Sequence, residues 1–372
     1  MKQYDIATYV WPAYTGSEPR TRSFWPDGNG EWQSVRSAHA KYDGHQWPRQ
    51  PLWGYVDEAD PFVMEMEINA ALRHGVNVFI YDWYWYDNRP FLEHCLNDGF
   101  LKAKNNTDMK FYLMWANHDA VNLWDKHLSD DPQAGPVTIW SGSVDERIFD
   151  NIIERIISRY FTLPNYYQIN GCPVFMIYDI GNFIKGLGGV DSARQNLKRF
   201  RDAVRSAGFQ GLHLQMALWD EHSTGKSGVD DNRINTKRDI VQALEIDSIT
   251  HYQFVHFADI KKPYPQVLED VIDEWKRIEN TYAVPYFPHI SIGWDNNPRF
   301  ERLIQPVMAE SSPDNFKKGL ILAKEYLDNH SDQPQLMTIN SWNEWTESSY
   351  LQPDDIFGYG YLEAIKDIYK FD

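Results

Sequence analysis

Short apolar runs alternate with longer amphipathic runs along the chain. The apolar runs are mostly continuous rather than alternating in polarity, which is typical of parallel strands with both faces buried. They predict eight strands, at Asp5–Val10, Val76–Tyr81, Lys110–Trp115, Val174–Tyr178, Leu212–Met216, Ser248–Tyr252, Tyr286–Ile290 and Gln335–Asn340. The amphipathic runs predict helices at Pro61–His74, Arg89–Lys104, Asp145–Phe161, Ser192–Ala207, Thr236–Leu244, Gln266–Asn280, Asp314–His330 and Gly360–Tyr369.

This alternation predicts an α/β fold, a (β/α)8 TIM barrel with one helix after each strand. The chain has 372 residues, and barrels with insertions span ~200 to more than 400. We therefore expect one catalytic domain over residues 1–372. A doubly wound parallel sheet is the alternative, but its usual Gly-rich phosphate loop is replaced here by Tyr9-Val10-Trp11-Pro12.

Three polar segments rich in Gly and Pro, Thr15–Trp53, Ala116–Val144 and Trp219–Asn235, follow the first, third and fifth strands. Loops that follow barrel strands lie at the C-terminal face, where barrel enzymes build their active sites. We therefore predict long βα loops that surround a site at that face.

Charge and composition narrow the classes of partner. Lys and Arg total 36 and Asp and Glu total 53, which gives a net charge of −17. So acidic a chain repels nucleic acid and anionic membranes. No apolar run reaches the ~18–20 residues of a membrane span. The chain opens Met1-Lys2-Gln3 and enters a strand at once. We expect no signal peptide in the chain as written, and the compartment stays open, because a trimmed precursor would look the same.

Aromatic residues are unusually frequent: 15 Trp, 22 Tyr and 19 Phe make up 15% of the chain. Together with polar side chains, they collect at the predicted strand ends, which indicates a groove for an oligo- or polysaccharide. We expect tryptophans to stack on sugar rings and polar groups to hold hydroxyls. The predicted substrate-binding residues are Tyr9, Trp11, Tyr55, Asp82, Trp83, Trp85, Trp115, Asn117, His118, Tyr178, His251, Tyr252, His289, Trp294 and Asn343.

The last predicted strand leads into Asn340-Ser341-Trp342-Asn343-Glu344-Trp345-Thr346-Glu347. On a helical turn, residues three apart have Cβ atoms roughly 5–6 Å apart. Retaining glycosidases hold two carboxyl groups about 5–5.5 Å apart. Glu344 and Glu347 are therefore the predicted catalytic pair.

Other chemistries lack their motifs. The chain has no His-Glu-x-x-His, Cys-x-x-Cys, P-loop or Gly-x-Ser-x-Gly segment. Its two cysteines, Cys95 and Cys172, are too few for a disulfide framework and lack metal-ligand spacing. We expect neither a metal nor a cofactor.

Seven segments carry a resemblance: Tyr9–Pro12, Trp53–Tyr55, Gly75–Trp85, Met114–Asn117, Trp342–Glu347, Tyr350–Asp354 and Gly358–Glu363. Together they resemble WbsX-type domains, which are grouped with glycoside hydrolase family 99. That family consists of retaining (β/α)8 endo-α-mannosidases and α-mannanases. The chain departs from the family 99 pattern at Thr346, where the family has His, and at Ser348-Ser349, where it has Gly and a polar residue.

The resemblance implies a two-glutamate mechanism, with Glu344 as base and Glu347 as acid/base. In that mechanism the base deprotonates the sugar's 2-hydroxyl, which attacks C1 and gives a 1,2-anhydro sugar. The 2-hydroxyl and the leaving group must be trans and close to diaxial, which α-mannosides and α-rhamnosides satisfy.

Two other functions stay open. Some WbsX-type proteins carry the label glycosyltransferase, although this chain lacks the Asp-x-Asp that commonly holds a sugar nucleotide's metal and diphosphate. A non-catalytic glycan-binding barrel is the third hypothesis, and it would bind sugars without turning them over.

Overall fold

A nearly closed ring of parallel strands forms the centre of the molecule. The computed structural model describes residues 4–129, 131–218 and 229–369. The ring consists of β1 Asp5–Val10, β2 Val78–Tyr86, β3 Lys110–Trp115, β4 Cys172–Ile177, β5 His213–Leu218, β6 Ser248–His251, β7 His289–Ser291 and β8 Leu336–Asn340. Neighbours in the chain are neighbours in the sheet, and β8 pairs with β1. A parallel bridge between Ile249 and Tyr286 links β6 to the segment before β7. The predicted (β/α)8 barrel is confirmed.

Helices surround the barrel and follow its strands. The longer ones span Pro61–Arg73, Glu146–Ile156, Ile180–Gly186, Val190–Ser206, Lys237–Ala243, Tyr264–Thr281, Pro313–Asn329 and Gly360–Ile368. Several begin where the sequence supplies a cap: the Asp60 side chain accepts from the Phe62 amide before Pro61, and Thr236 forms a capping box with Asp239. None of the helices in the described ranges is long and apolar enough to cross a membrane.

The predicted helix Arg89–Lys104 is wrong. Asp87 and Asn88 have φ of 53° and 60°, the left-handed conformations of a two-residue type I′ hairpin turn. This turn folds Arg89–Phe91 back onto the end of β2 as an antiparallel strand. The remainder forms only a π turn at Cys95–Gly99 and a 3-10 turn at Phe100–Lys102. As a consequence, β2 runs five residues beyond the predicted end at Tyr81.

The seventh strand also differs from its prediction. Tyr286 makes only the isolated bridge to β6, and the strand itself begins at His289. Pro288 explains the interruption, because proline has no N–H to donate to the ladder.

Two of the three predicted loops carry short elements. The first contains a 3-10 turn at Pro19–Ser23 and a short helix at Trp32–Ser37, and the second contains a hairpin of Ala120–Val121 with Thr138–Trp140. Residues 219–228 of the third loop lie outside the described residues.

Candidate active site

A cavity of about 290 Å³ lies at the C-terminal end of the barrel. Strand ends and βα loops from around the ring contribute its wall. The lining residues are Trp11, Asp82, Tyr84, Met114, Ala116, His118, Trp124, Tyr178, Tyr252, Arg299, Glu344 and Glu347. Carboxyl groups and flat aromatic faces therefore share one concave site.

The two glutamates reach this cavity from a compact turn after β8. Asn343–Glu344 pairs antiparallel with Ser349–Tyr350, and the 3-10 turn Trp345–Glu347 connects the two short strands. A 3-10 turn brings residues three apart onto the same side. Glu344 and Glu347 accordingly line the same cavity.

Asn343 anchors this turn from behind. Its amide oxygen accepts from the Trp11 backbone N–H at 2.8 Å, and its Nδ2 donates to the Trp11 carbonyl oxygen at 2.8 Å. Nδ2 also contacts both carboxyl oxygens of the buried Glu58, at 2.9 and 2.8 Å. The asparagine thus fixes the end of β8 against the end of β1.

Arg299 ties the acid pair together. Its Nη1 donates to Glu347 Oε1 at 2.8 Å, and its Nη2 lies 3.5 Å from Glu344 Oε1. Its Nε donates to Oε1 of the fully buried Glu31 at 3.1 Å, and the Trp11 indole N–H donates to the other oxygen of Glu31. One guanidinium therefore serves three carboxyl groups.

A tyrosine hydroxyl lies between two further carboxyl oxygens. Tyr252 Oη is 2.9 Å from Asp82 Oδ2 and 2.8 Å from Glu344 Oε2. A phenol has one hydrogen to donate, so one of these two carboxyl groups must itself carry a proton. Burial and the charge of Glu344 raise the pKa of Asp82 well above its ordinary value. When Glu344 is ionised, this proton therefore lies on Asp82, which donates to Tyr252 while Tyr252 donates to Glu344.

The acid pair also holds a proton more tightly than ordinary glutamates. Burial and repulsion from Glu347 raise the pKa of Glu344 to about 8, against the opposing effect of Arg299. Burial likewise raises the pKa of Glu347, again opposed by Arg299. The short contact to Arg299 favours the ionised form of Glu347 over that of Glu344.

Seven of the predicted site residues meet at the cavity: Trp11, Asp82, His118, Tyr178, Tyr252, Glu344 and Glu347. The other predictions lie elsewhere. Trp83 donates to Glu93 at 2.7 Å and packs beside Trp85, and Trp115 stacks on Phe149 at 5.9 Å. These three tryptophans pack away from the cavity.

Five more predicted residues lie inside the protein or at another surface. Two are buried histidines: His289 forms hydrogen bonds with Thr338 and Ser291 within the barrel, and His251 forms one with Tyr286. Tyr9 donates to the His251 carbonyl oxygen, and Asn117 forms hydrogen bonds with the backbone of Asp179. Tyr55 is 36% exposed and lies beside Trp32. Trp294 lines a different cavity, and Asn343 is the anchor described above. For the residues outside the main cavity, substrate contact stays a prediction.

Sequence reasoning missed Tyr84, Met114, Ala116, Trp124 and Arg299 as lining residues. A signal for Tyr84 was present, because side chains alternate along a strand. Once β2 is extended, alternation places Asp82 and Tyr84 on one face and Trp83 and Trp85 on the other. Among the described residues, no group of three or more His, Cys, Asp or Glu side chains could hold a metal ion.

The same architecture occurs in solved structures. A protein titled glycoside hydrolase-like aligns with a TM-score of 0.61 and 14% identity, over 100% of this chain and 95% of that one. The GH99 endo-α-mannosidase from Bacteroides thetaiotaomicron aligns with a TM-score of 0.54 and 14% identity, over 98% and 95% of the two chains. At this identity the likeness establishes the fold alone, a (β/α)8 barrel.

Sequence comparison gives a relative and a family. The WxcX protein of Xanthomonas campestris pv. campestris, described as uncharacterized, is 24% identical over 350 residues, which is 94% of this chain and 47% of the relative. The chain thus spans about half the length of the curated relatives it matches. The family described as glycosyltransferase WbsX matches residues 6–365. Because this match covers most of the chain, the protein belongs to the WbsX family.

Proposed function

We propose that this protein is a retaining glycoside hydrolase that acts on α-linked glycans of manno configuration, either mannose or rhamnose-like. The observation that carries the proposal is that Glu344 and Glu347 line one cavity with aromatic walls. Trp11 and Trp124 supply apolar faces for a sugar ring, and Asp82 and His118 supply polar groups for its hydroxyls. The fold that the chain shares with the glycoside hydrolase-like protein and the GH99 endo-α-mannosidase supports the same class of reaction.

The mechanism we propose needs two different protonation states in the pair. Glu344, as a carboxylate, removes the proton of the 2-hydroxyl, which attacks C1 to give a 1,2-anhydro sugar. Glu347, as a carboxylic acid, protonates the departing glycosidic oxygen and then activates water for ring opening. The hydrogen bond from Tyr252 stabilises the carboxylate form of Glu344.

The contact of Arg299 with Glu347 favours the opposite distribution, in which Glu347 is ionised. The proposal therefore includes transfer of one proton within the pair as substrate binds. Entry of the 2-hydroxyl gives Glu344 a new partner, and entry of the glycosidic oxygen gives Glu347 an acceptor. The pair keeps one proton throughout this step, so the total charge of the site is unchanged.

A panel of α-manno- and α-rhamno-configured oligosaccharides tests this function. Proton NMR of the reaction from its first minutes identifies which anomer forms first. We expect hydrolysis of at least one panel member, with the α-anomer appearing first. The first appearance of the inverted anomer, or no hydrolysis on the whole panel, would contradict the proposal.

The description of the family favours one rival function, a glycosyltransferase. A sugar nucleotide brings a diphosphate, whereas this cavity is lined by Asp82, Glu344 and Glu347 with Arg299 as the one Lys or Arg residue among its lining. Calorimetry with common sugar nucleotides separates the two functions. Micromolar binding would favour transfer, and hydrolysis predicts none.

A further inference from the structure

A second cavity, of about 270 Å³, lies beside the acid pair. Its lining includes Ser348, the residue after Glu347, and Asp295, whose backbone N–H donates to the Glu347 carbonyl oxygen at 2.8 Å. Trp294 and Arg49 also line it. The two cavities therefore share the turn that carries the catalytic pair.

The acidic group in the wall of this second cavity is already satisfied. Asp295 accepts from His45 Nε2 at 2.6 Å, from the Trp47 indole at 2.9 Å, and from the backbone and side chain of Asn297 at 3.1 and 2.7 Å. His45 Nδ1 accepts from the Lys41 amide at 3.0 Å, so Nε2 carries the ring hydrogen that Asp295 accepts. Burial opposes ionisation, but these bonds outweigh it and hold the pKa of Asp295 below its ordinary value.

The hydrogen-bond donors in the wall of the second cavity, by contrast, are incompletely used. Arg49 is buried, with Nε donating to the Gln46 carbonyl at 2.9 Å and Nη1 to the Tyr350 hydroxyl at 3.2 Å. Within the described part of the chain, its Nη2 has no hydrogen-bond partner. The Ser348 hydroxyl and the Trp294 indole N–H are buried and likewise lack a partner among those residues.

An excess of donors selects the chemistry of the ligand. A neutral sugar both donates and accepts hydrogen bonds, so its site needs free acceptors, as the main cavity has. Three free donors in the wall of one cavity, one of them on a guanidinium, fit a group that only accepts, and the planar guanidinium matches a carboxylate. The one other acid in the lining, Glu310, is exposed at the surface.

We propose that the second cavity is a subsite for a sugar unit that carries a carboxylate, such as a uronic acid. Arg49 binds the carboxylate, Ser348 and the Trp294 indole donate to its oxygens, and the Trp294 ring lies against the sugar. This inference rests on the proposed function in one respect, since it treats the unit as part of the glycan that the acid pair cleaves.

Direct binding tests the subsite without any turnover. The probes are methyl α-D-glucuronoside and methyl α-D-glucoside, which differ only at C6, and NMR titration gives both dissociation constants. We expect the acid to bind at least ~10-fold more tightly, which corresponds to about 1.4 kcal/mol. Equal affinity of the two probes would overturn the proposal.

Two variants locate the binding. Arg49→Lys keeps the charge but removes the fork, and should abolish most of the preference for the acid. Ser348→Ala should weaken binding of the acid about 3- to 10-fold, the scale of one hydrogen bond, and it decides the matter if Arg49→Lys fails to fold. The exposed Arg194 on the Val190–Ser206 helix provides the control Arg194→Lys, which should bind as the wild type does.

The outcomes separate the subsite from the proposed function. Preference for the acid that survives both Arg49→Lys and Ser348→Ala would sink the subsite and leave hydrolysis untouched. Binding lost in both variants, in a protein that hydrolyses no glycan, would uphold the subsite while removing the proposed function.

Discussion

Among the individual residues of the candidate site, the protonation state of each carboxyl group matters as much for the proposed chemistry as its position. Three carboxyl groups, those of Glu31, Glu344 and Glu347, lie around the Arg299 guanidinium. A fourth, that of Asp82, is buried beside Tyr252. Unpaired buried charge is costly, so the site must retain protons. When Glu344 is ionised, Asp82 holds one of these protons, because the single phenol hydrogen of Tyr252 cannot be donated to two carboxylates.

Removing the Tyr252 hydroxyl should shift the pH dependence of activity. Tyr252→Phe deletes the hydrogen bond that favours ionised Glu344, so the pKa of Glu344 rises further. The acid limb of the kcat/KM profile should then move to higher pH by ~1 unit, the size expected of one hydrogen bond to a charged group.

Asp82 provides the matched control for this prediction. Asp82→Asn retains an N–H that can donate to Tyr252 in place of the carboxylic acid, so its acid limb should stay near that of the wild type, whereas Asp82→Ala should move it. An unchanged profile in Tyr252→Phe would show that the hydroxyl does not set the ionisation of Glu344.

At the scale of elements, the sequence predicts a strand more reliably than it predicts the strand's end. The continuous apolar run predicted the strand β2, but it does not indicate where the strand ends. The Asp87-Asn88 turn fixes that end, and with it the faces of Asp82, Trp83 and Tyr84. Because the sequence analysis did not identify the turn, it predicted that Trp83 and Trp85 stack on sugar rings. The alternation of side chains along the extended strand directs both away from the cavity.

Substitutions in the Asp87-Asn88 turn should change the free energy of unfolding, because the turn has a left-handed backbone conformation. Asn88 has φ of 60° and is exposed, so a substitution there acts mainly through the backbone. Asn88→Ala should lower the free energy of unfolding by ~1 kcal/mol, because a Cβ disfavours this conformation. Asn88→Gly, measured in the same denaturant titration, should not destabilise by this route, and equal losses in both variants would contradict the turn.

A second pair of buried acids, Glu58 and Glu67, supports the turn that carries Glu344 and Glu347. Glu58 and Glu67 both accept from Gln352 Nε2, at 3.0 and 3.2 Å, and Trp342 donates to Glu67 at 2.8 Å. Burial raises the pKa of Glu67 from 4.5 to about 7. A raised carboxyl pKa means that its stabilising contribution is present at low pH and lost as pH rises through about 7.

Glu67→Gln should therefore flatten the pH dependence of stability. Between about pH 5 and about pH 8, the free energy of unfolding of the wild type should fall more than that of the variant, by up to roughly 3 kcal/mol. Denaturant titrations at several pH values measure this difference. The exposed Glu325 gives the control Glu325→Gln, which should follow the wild type, and parallel curves for Glu67→Gln would refute the buried proton.

For the molecule as a whole, the hydrophobic pattern of the sequence was sufficient to predict the barrel but not to predict all the residues that line the site. Burial of both strand faces leaves a pattern in the sequence, so eight strands and the barrel could be predicted. Arg299 has no such pattern around it, because it lies in the loop after β7. Only the folded structure brings it into contact with Glu344 and Glu347. Histidines at strand ends were ambiguous for a related reason: His289 faces the barrel interior, where Thr338 and Ser291 satisfy it.

The extent of the functional unit stays a prediction. The described residues form one barrel, but the chain spans about half the length of its curated relatives. That residues 1–372 act as one catalytic domain is therefore part of the proposal.

Turnover by single glutamine variants measures directly whether Glu344 and Glu347 perform hydrolysis together. With a glycan that the wild type cleaves, Glu344→Gln and Glu347→Gln should each lower turnover by at least ~10²-fold, the scale of acid–base catalysis. Substrate should still bind, and Glu325→Gln should turn over normally. An aryl glycoside with a good leaving group should rescue Glu347→Gln more than Glu344→Gln, because it needs less protonation. Near-normal turnover in either variant would remove that glutamate from the proposed mechanism.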